Sequence, residues 1–350
     1  MKFVFTADLH LKNWQDNQYT EEGIPLKLKE IINAFCQMCD YAMENEINWV
    51  IIAGDVNDTH STIHARPFSM FSRILKSYPQ LHFTIIPGNH DNASIKQTET
   101  AIDLLDYIDN VEVVNQTKEI KINDRKIVLV PWKRTMKDEL KNAPGGDIMI
   151  SHFALSEAFT STNQQIRTSI SKQDLKRWTM VLLGDYHKPQ TVDNFIWYVG
   201  SPVPTERSEF KEEKRFLVID VEDLSIKSVP TTGYRKYIEF NILDDAENLD
   251  EIKDTIIKEC KNGNFIRLNK YSKELPKEIR EVIQEHDIAF VDRYDSEIET
   301  RGITMGMSRE DMLTRYLELE NIPEDEKEEY VEIGLEAMDF EEDDEEDTEE

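Results

Sequence analysis

Only three cysteines occur in 350 residues, Cys36, Cys39 and Cys260, too few for a disulfide framework. Cys36 and Cys39 form a C-x-x-C, but no second such pair exists to complete a zinc site. The pair sits in a helical apolar pattern with Ile31, Ile32 and Phe35, so reduced thiols on a buried helix face are expected. Long apolar runs are also missing. No stretch approaches the roughly 20 residues that span a bilayer, and Met1-Lys2 leads straight into a short strand with no signal-peptide core. A membrane role is not expected, and a cytoplasmic location is. Positive charge is scarce as well: 41 Lys and Arg face 70 Asp and Glu, for a net charge of −29. Glu324 to Glu350 hold seventeen acidic residues against one lysine, yet residues 1–323 still carry −13. Such a chain has no electrostatic footprint for nucleic acid of its own. A polyanionic substrate would require metal ions or a basic partner to supply the missing charge.

What the chain does have is a set of polar strand ends. Pro87-Gly88-Asn89-His90-Asp91 terminates the run His82-Phe83-Thr84-Ile85-Ile86, which reads as a buried strand. Open α/β sheets place ligands beyond the carboxyl ends of their strands. An amide oxygen, an imidazole and a carboxylate in a row suit divalent metals, although the same residues alone also suit an ordinary turn. Four other strand ends repeat the chemistry. Residues 2–6 lead to Asp8 and His10, and residues 48–53 to Gly54-Asp55-Val56-Asn57-Asp58. Residues 148–151 lead to His152, and residues 180–183 to Gly184-Asp185-Tyr186-His187. A lone His152 would read as a structural histidine. Five such ends in one core point instead to a metal centre. Carboxylates supply charge to hold a divalent cation, and neutral imidazoles complete a shell without over-neutralising it.

Further elements follow from periodicity: helices over 26–46 and near 67–77, and strands near 112–114, 120–122, 126–130, 195–199, 216–221 and 226–229. Strands outnumber the helices between them, which favours two packed sheets flanked by helices over one doubly wound sheet. From Tyr234 the texture changes. Strands at 237–240, 265–268 and 288–291 alternate with helices at 248–260 and 276–285, a small βαβαβ domain. Residues 296–304, with Gly302, form a polar linker. Ser308-Arg309-Glu310-Asp311 opens a helix with Met312, Leu313, Tyr316 and Leu317 on one face. Pro323 interrupts the pattern, and Val331, Leu335 and Met338 make a second stripe. Residues 340–350 form an acidic tail expected to be disordered.

The order Asp-x-His, Gly-Asp-x-x-Asp, Gly-Asn-His-Asp, Ser-His and Gly-x-x-His resembles the calcineurin-like metallophosphoesterase superfamily over about the first two hundred residues. The resemblance implies a four-layered αββα sandwich of two mixed sheets and a dinuclear metal centre. Asp8, His10, Asp55 and His187 would hold one metal, and Asp55, Asn89, His152 and Asp185 the other, with Asp55 bridging. His90 would stand outside the ligands, facing the phosphate, and protonate or stabilise the leaving oxygen. The superfamily usually has Gly-His-x-His where this chain has Gly184-Asp185-Tyr186-His187. An oxygen ligand there favours Mn²⁺ or Mg²⁺ over Zn²⁺.

The Gly-Asp-x-Val-Asp-Arg-Gly and Gly-Asn-His-Glu motifs of phosphoprotein phosphatases are absent. Pro131-Trp132, Gly184 to Pro189, Val199-Gly200-Ser201-Pro202 and Arg215 to Asp220 resemble the SbcD nuclease branch. That resemblance implies a Mn²⁺-dependent nuclease of recombination and repair, a 3′→5′ exonuclease on double-stranded DNA ends and an endonuclease on single strands or hairpins. Its division of the chain would be 1–232 nuclease domain, 233–295 DNA-capping domain (with Asn264-Phe265-Ile266-Arg267-Leu268), 296–304 linker, and 305–339 a helix-loop-helix. The last would grip the coiled coil of an SbcC-type ABC ATPase, with packing on its own domain the alternative. A homodimer within a heterotetramer is implied, through helices 26–46 and 67–77, for which core packing is equally open. The compact length resembles phage versions, which would act in the host cytoplasm. His60, His64, Arg66, Lys133 and Arg134 are candidate DNA contacts. The tail would either mimic DNA or keep the chain soluble. Two other functions compete: a phosphatase or phosphodiesterase for small nucleotides or phosphoproteins with the same metals, and a non-enzymatic scaffold for an ATPase.

Overall fold

Two six-stranded mixed sheets pack face to face in the first part of the chain. The structure, a computed structural model, describes residues 1–14, 18–60, 62–92, 100, 102–242, 249–270, 275–286 and 288–292. It also describes Leu313, Thr314, Leu317, Lys327, Tyr330 and Val331, each helical. The chain divides into two units, Met1–Tyr237 and Ile238–Glu350.

In the first unit the strands are β1 (Lys2–Thr6), β2 (Trp49–Ala53), β3 (His82–Ile86), β4 (Val111–Val113), β5 (Lys118–Ile122) and β6 (Arg125–Val130). They continue as β7 (Gly146–His152), β8 (Trp178–Gly184), β9 (Gln190–Val192), β10 (Ile196–Tyr198), β11 (Arg215–Asp220) and β12 (Ile226–Pro230). One sheet runs β12-β11-β1-β2-β3-β4 and the other β5-β6-β7-β8-β10-β9. β1 to β4 run parallel in one sheet, with antiparallel β11 and β12 beyond β1, and β6-β7-β8-β10 run parallel in the other, with antiparallel β5 and β9 at its two edges. The parallel registers bring Ala53 opposite Ile86 and His152 opposite Gly184. The loops after β1, β2, β3, β7 and β8 therefore leave the sandwich at strand ends that lie side by side.

Alternation along each strand sorts the apolar residues. Phe3, Phe5, Trp49 and Ile51 meet Ile127, Leu129, Ile148 and Ile150 between the sheets. Val4, Val50, Ile52, Phe83 and Ile85 face outward beneath α1 (Leu26–Glu44) and α2 (Ala65–Ser77). Burial on both faces explains why these strands read as unbroken apolar runs. α1 buries Leu28, Ile31, Ile32, Phe35, Met38, Cys39 and Ala42, a 3.6-residue stripe. Cys36 and Cys39 are free thiols on this helix. α1 stops two residues short of Glu46, which sits at φ 56° while the Asn45 side chain donates to the Tyr41 carbonyl at 2.8 Å.

The outer layer on the second sheet is slight: α3 (Met136–Asn142) and a 3-10 turn at Lys172–Leu175, covering Val128, Val130, Met149, Val181 and Leu183. α3 lacks a sequence signature because Met136 and Leu140 are its only buried residues. Two buried charges interrupt the apolar stripe of α1. Lys27 Nζ donates to the Pro204 carbonyl at 2.7 Å and lies 3.0 Å from Glu30. Glu30 Oε1 accepts the backbone N–H and Nε–H of Arg235 at 2.8 and 2.7 Å.

The second unit contains β13 (Tyr237–Ile242, which starts on the boundary), α4 (Leu249–Lys261), β14 (Phe265–Lys270), α5 (Lys277–His286) and β15 (Ala289–Asp292). Its sheet runs β13-β14-β15, with β14 and β15 parallel. Ile256, Ile266, Leu268, Ile279, Val282 and Ile288 form its own core. The linker 296–304, most of 305–339 and the tail 340–350 lie outside the described residues. No helix among the described residues is long and apolar enough to cross a membrane.

Candidate metal centre

The loops that leave the parallel strands are bonded to one another before any ligand is considered. The Asp8 N–H donates to the Gly54 carbonyl at 3.0 Å, the His10 N–H to Asp55 at 2.9 Å and the Leu11 N–H to Val56 at 2.8 Å. Asp185 N–H donates to Asp8 Oδ1 at 3.0 Å. Asp8, His10, Asp55 and Asp185 all adopt left-handed backbone, with φ of 57°, 46°, 52° and 95°. Such conformations cost about 1–3 kcal/mol each in non-glycine residues and persist where the surroundings enforce them. A Cβ on Gly88 would strike the Asp55 carboxylate, and one on Gly184 would strike the Ala53 carbonyl and the His152 ring.

Asp91 ties two of the loops together. Its buried carboxylate accepts the N–H groups of Asn57 and Gly88 at 2.9 Å and of Val56 at 3.3 Å. Burial and the nearby Asp55 charge push it up to about 7, against those amide donors. The sequence placed Asp91 in the motif without assigning it a role. Two of its partners, Val56 and Asn57, lie more than thirty residues away in the chain.

The loops bring together Asp8, His10, Asp55, Asn89, His152, Asp185 and His187. His10 Nε2 and His187 Nε2 face each other at 2.9 Å. Asp8, His10 and His187 offer one compact set of donor atoms, and Asp8, Asp55 and His152 another, each within 4.8 Å. Asp55 Oδ2 stands between them, 3.6 Å from His10 Nε2 and 3.3 Å from His152 Nε2. Around His152 Nε2 also lie Asn89 Oδ1 at 2.9 Å and Asp185 Oδ1 at 3.6 Å.

The hydrogen bonds of the outer nitrogens assign the tautomers of His152 and His187, and the Asp58 carboxylate favours the same one for His10 by proximity alone. His10 Nδ1 lies 3.1 Å from Asp58 Oδ1, His187 Nδ1 2.8 Å from Glu209 Oε1, and His152 Nδ1 2.8 Å from the Ala53 carbonyl. With N–H on each Nδ1, the Nε2 lone pairs converge on each other and on carboxylate oxygens. Such a donor set is repulsive by itself and fits divalent cations. In their absence protons must do the balancing. Burial disfavours charge on His152, but Asp55, Asp8 and Asp185 raise its pKa well above the ordinary value. Burial likewise opposes charge on His187, yet Glu209 and Asp8 lift it to about 9. Burial, with Asp55 and Asp8, pushes Asp185 up to about 6, while His152 and His187 pull the other way. Asp55 is itself buried, but the neighbouring His152, His10 and His90 hold it well below the usual carboxylate range.

His90 stands beside the ligand groups. Its N–H donates to Asp55 Oδ1 at 3.0 Å, and its Nδ1 lies 2.7 Å from the Asp58 carbonyl. Its ring is edge-on to His10, with centroids 5.1 Å apart, and stacked on His60 at 4.9 Å. His60 Nδ1 also lies 2.9 Å from the Asn89 carbonyl, so His60 is closer to the site than its loop position suggested. The other candidate contacts are less engaged. Arg66 donates to the Gly23 carbonyl at 2.6 Å, and among the described residues neither it nor His64 is bonded to the ligand groups. Lys133 and Arg134 follow Trp132, whose N–H donates to Pro87 at 3.0 Å, so their loop adjoins the one carrying Asn89. Nothing in the sequence pattern marked Glu209, although it contacts His187 directly.

Residues 1–189 match the calcineurin-like phosphoesterase family, more than half of the chain, and the protein belongs to that family. No curated protein matches the chain. Among solved structures it is similar to an archaeal phosphodiesterase, at 10% identity and a TM-score of 0.35 over 66% of this chain and 99% of that one. A Vps29 from Entamoeba histolytica, complexed with zinc, is similar at 12% identity and a TM-score of 0.30, over 65% and 97% of the two chains. A Pseudomonas putida nuclease, MPE, is similar at 14% identity and a TM-score of 0.28, over 61% and 83%. Similarities of this size decide nothing about substrate. Family membership and the converging donors make this a metal-dependent phosphoester hydrolase.

Proposed function

We propose that the protein is an SbcD-type DNA nuclease that hydrolyses phosphodiesters with two Mn²⁺ ions, in the cytoplasm and alongside an SbcC-type ATPase. The observation that carries this is the setting of Gly200-Ser201, part of the stretch that resembles the nuclease branch. The Ser201 N–H donates to the His187 carbonyl at 3.2 Å and its Oγ to Glu209 at 2.8 Å. The branch motif is thus joined to the support of a candidate ligand. In this proposal residues 233–295 are the DNA-capping domain and residues 305–339 grip the ATPase coiled coil, within a homodimer-based heterotetramer.

Asp8, His10, Asp55 and His187 would hold one cation, and Asp55, Asn89, His152 and Asp185 the other. When bound, the pair supplies Lewis-acid stabilisation of the phosphoryl oxygens and a nucleophile at neutral pH. The chain's own residues do the rest. Asp55 serves both sites with one carboxylate while its Oδ1 fixes the His90 backbone. His90, anchored through Nδ1 on the Asp58 carbonyl, keeps Nε2 as the atom that gives a proton to the leaving oxygen. The proton retained on Nδ1 is then shared with that carbonyl.

The test follows a labelled linear duplex with Mn²⁺, using wild type and His90→Ala. Wild type is expected to shorten the strand, and His90→Ala to bind Mn²⁺ yet cut at least about 100-fold more slowly. Equal digestion by both would remove His90 from the chemistry. Hydrolysis of a small phosphodiester without digestion of DNA would favour the phosphodiesterase alternative. A further expectation concerns the metal. Asp185→His replaces an oxygen ligand by nitrogen and should move the activity optimum from Mn²⁺ toward Zn²⁺ in a metal titration. An unchanged ranking of the two ions would place Asp185 outside the coordination shell.

A further inference from the structure

We propose that Glu209, held in place by the buried Lys214, is a positioning residue that sets the affinity of the metal site containing His187. This rests on the metal-centre assignment above and concerns residues outside its ligand set.

The Glu209 carboxylate is 1% exposed and the Lys214 side chain fully buried. Lys214 Nζ has three N–H groups and three acceptors: Glu209 Oε2 at 2.7 Å, Glu212 Oε2 at 2.7 Å and the His187 carbonyl at 2.8 Å. Glu209 Oε2 also takes Ser201 Oγ–H at 2.8 Å and the Thr205 N–H at 3.1 Å. Its Oε1 takes Thr205 Oγ1–H at 2.6 Å and is left facing His187 Nδ1 at 2.8 Å. Each carboxylate oxygen is therefore fixed by the fold on one side, and Oε1 is aimed at the imidazole on the other. Gly200 completes the cradle. It sits at φ 81°, and a Cβ there would strike the His187 carbonyl at 2.6 Å.

A buried ion pair is a poor device for stability, since well-packed apolar residues of the same volume serve as well or better. Its geometry here has a use, because it orients an anion that must not rotate. An anion on Nδ1 keeps the proton there and makes Nε2 a stronger donor toward a cation. His187 is bonded to this network at both its ring and its backbone carbonyl, whereas His152 Nδ1 is bonded to the neutral Ala53 carbonyl at 2.8 Å, with Asp8 Oδ1 farther off at 3.9 Å. The two candidate metal sites should thus differ, with the support of Glu209 confined to the one that contains His187.

Calorimetric titration of the metal-free full-length protein with Mn²⁺ tests this. Wild type is expected to bind two ions. Glu209→Ala should weaken one of them by about 10–100-fold and leave the other within about threefold. Glu209→Gln, which keeps an oxygen for Nδ1–H but not the charge, should fall between. Thr205→Val, which removes the Oγ1 contacts to Glu209 Oε1 at 2.6 Å and to His187 Nδ1 at 3.0 Å but keeps the carboxylate, should give a smaller loss at the same site. Weakening of both sites together, or of neither in a protein with native circular dichroism, would overturn the proposal. Failure of wild type to bind Mn²⁺ at all would instead overturn the metal-centre assignment beneath it.

Discussion

Asp55→Asn is expected to lower hydrolysis of a generic phosphodiester, such as bis(p-nitrophenyl) phosphate with Mn²⁺, by at least about a thousandfold. The substitution is almost isosteric, and its Oδ1 still accepts the His90 N–H, so the fold should persist. What disappears is one negative charge at the midpoint between His10 Nε2 and His152 Nε2. A neutral amide offers one good oxygen where two cations need a shared anion, so both sites lose a ligand at once. A metal-held transition state draws several kcal/mol from such charge, and each 1.36 kcal/mol is a factor of ten. The check is kcat for both proteins at saturating Mn²⁺, with circular dichroism to establish folding. Activity within tenfold of wild type would mean that Asp55 does not bridge.

The second large effect is on stability. Metal binding relieves a concentration of buried like charge, so removing divalent ions should lower Tm markedly. A ligand at 100 times its Kd contributes about 2.7 kcal/mol, and about 2–4 °C per kcal/mol applies to a unit of this size. Mn²⁺ at that excess should therefore raise Tm by roughly 5–10 °C over the chelated protein. The pH dependence of the chelated protein follows from the shifted groups. Asp185, raised to about 6, binds its proton more tightly folded than unfolded, so stability falls as pH climbs from about 4 to 6. His187 is raised to about 9, so its contribution is complete below about 6.5 and is lost as pH rises through 9. The metal-free protein should be more stable at pH 6 than at pH 9. The gain from Mn²⁺ should be larger at the higher pH, where cations and protons no longer compete. Differential scanning calorimetry with and without chelator reads both. An equal Tm gain at the two pH values would contradict the link between these groups and the metal.

The strands, and the polar strand ends that the fold brings together, are legible because both signals are local. Ile51-Ile52-Ala53-Gly54-Asp55 shows an apolar strand and its polar end within five residues, and the same is true of Ile85 to His90. The supporting residues were not legible, because their meaning lies in partners far along the chain. Asp91 serves amides of the preceding loop, Glu209 serves His187, and Lys27 reaches Pro204 across 177 positions. α3 is illegible because it is seven residues long and its Met136 and Leu140, one i, i+4 pair, are too few to establish a period. His60 appeared to be a loop histidine because ring stacking leaves no trace in sequence.

The buried Lys27–Glu30–Arg235 link on α1 has a mechanical consequence. Arg235 lies two residues before the boundary at Tyr237, so tension applied to the chain beyond that point reaches the first unit there. Glu30 Oε1 takes both the backbone N–H and the Nε–H of Arg235 in a desolvated pocket, and Tyr237 stacks on Phe210 with centroids 5.4 Å apart. The load passes into α1, which packs on the outer face of one sheet, rather than into the edge strand β12, which would peel one hydrogen bond at a time. The end of the first unit is thus pinned at two points ahead of the boundary, one polar at Arg235 and one aromatic at Tyr237.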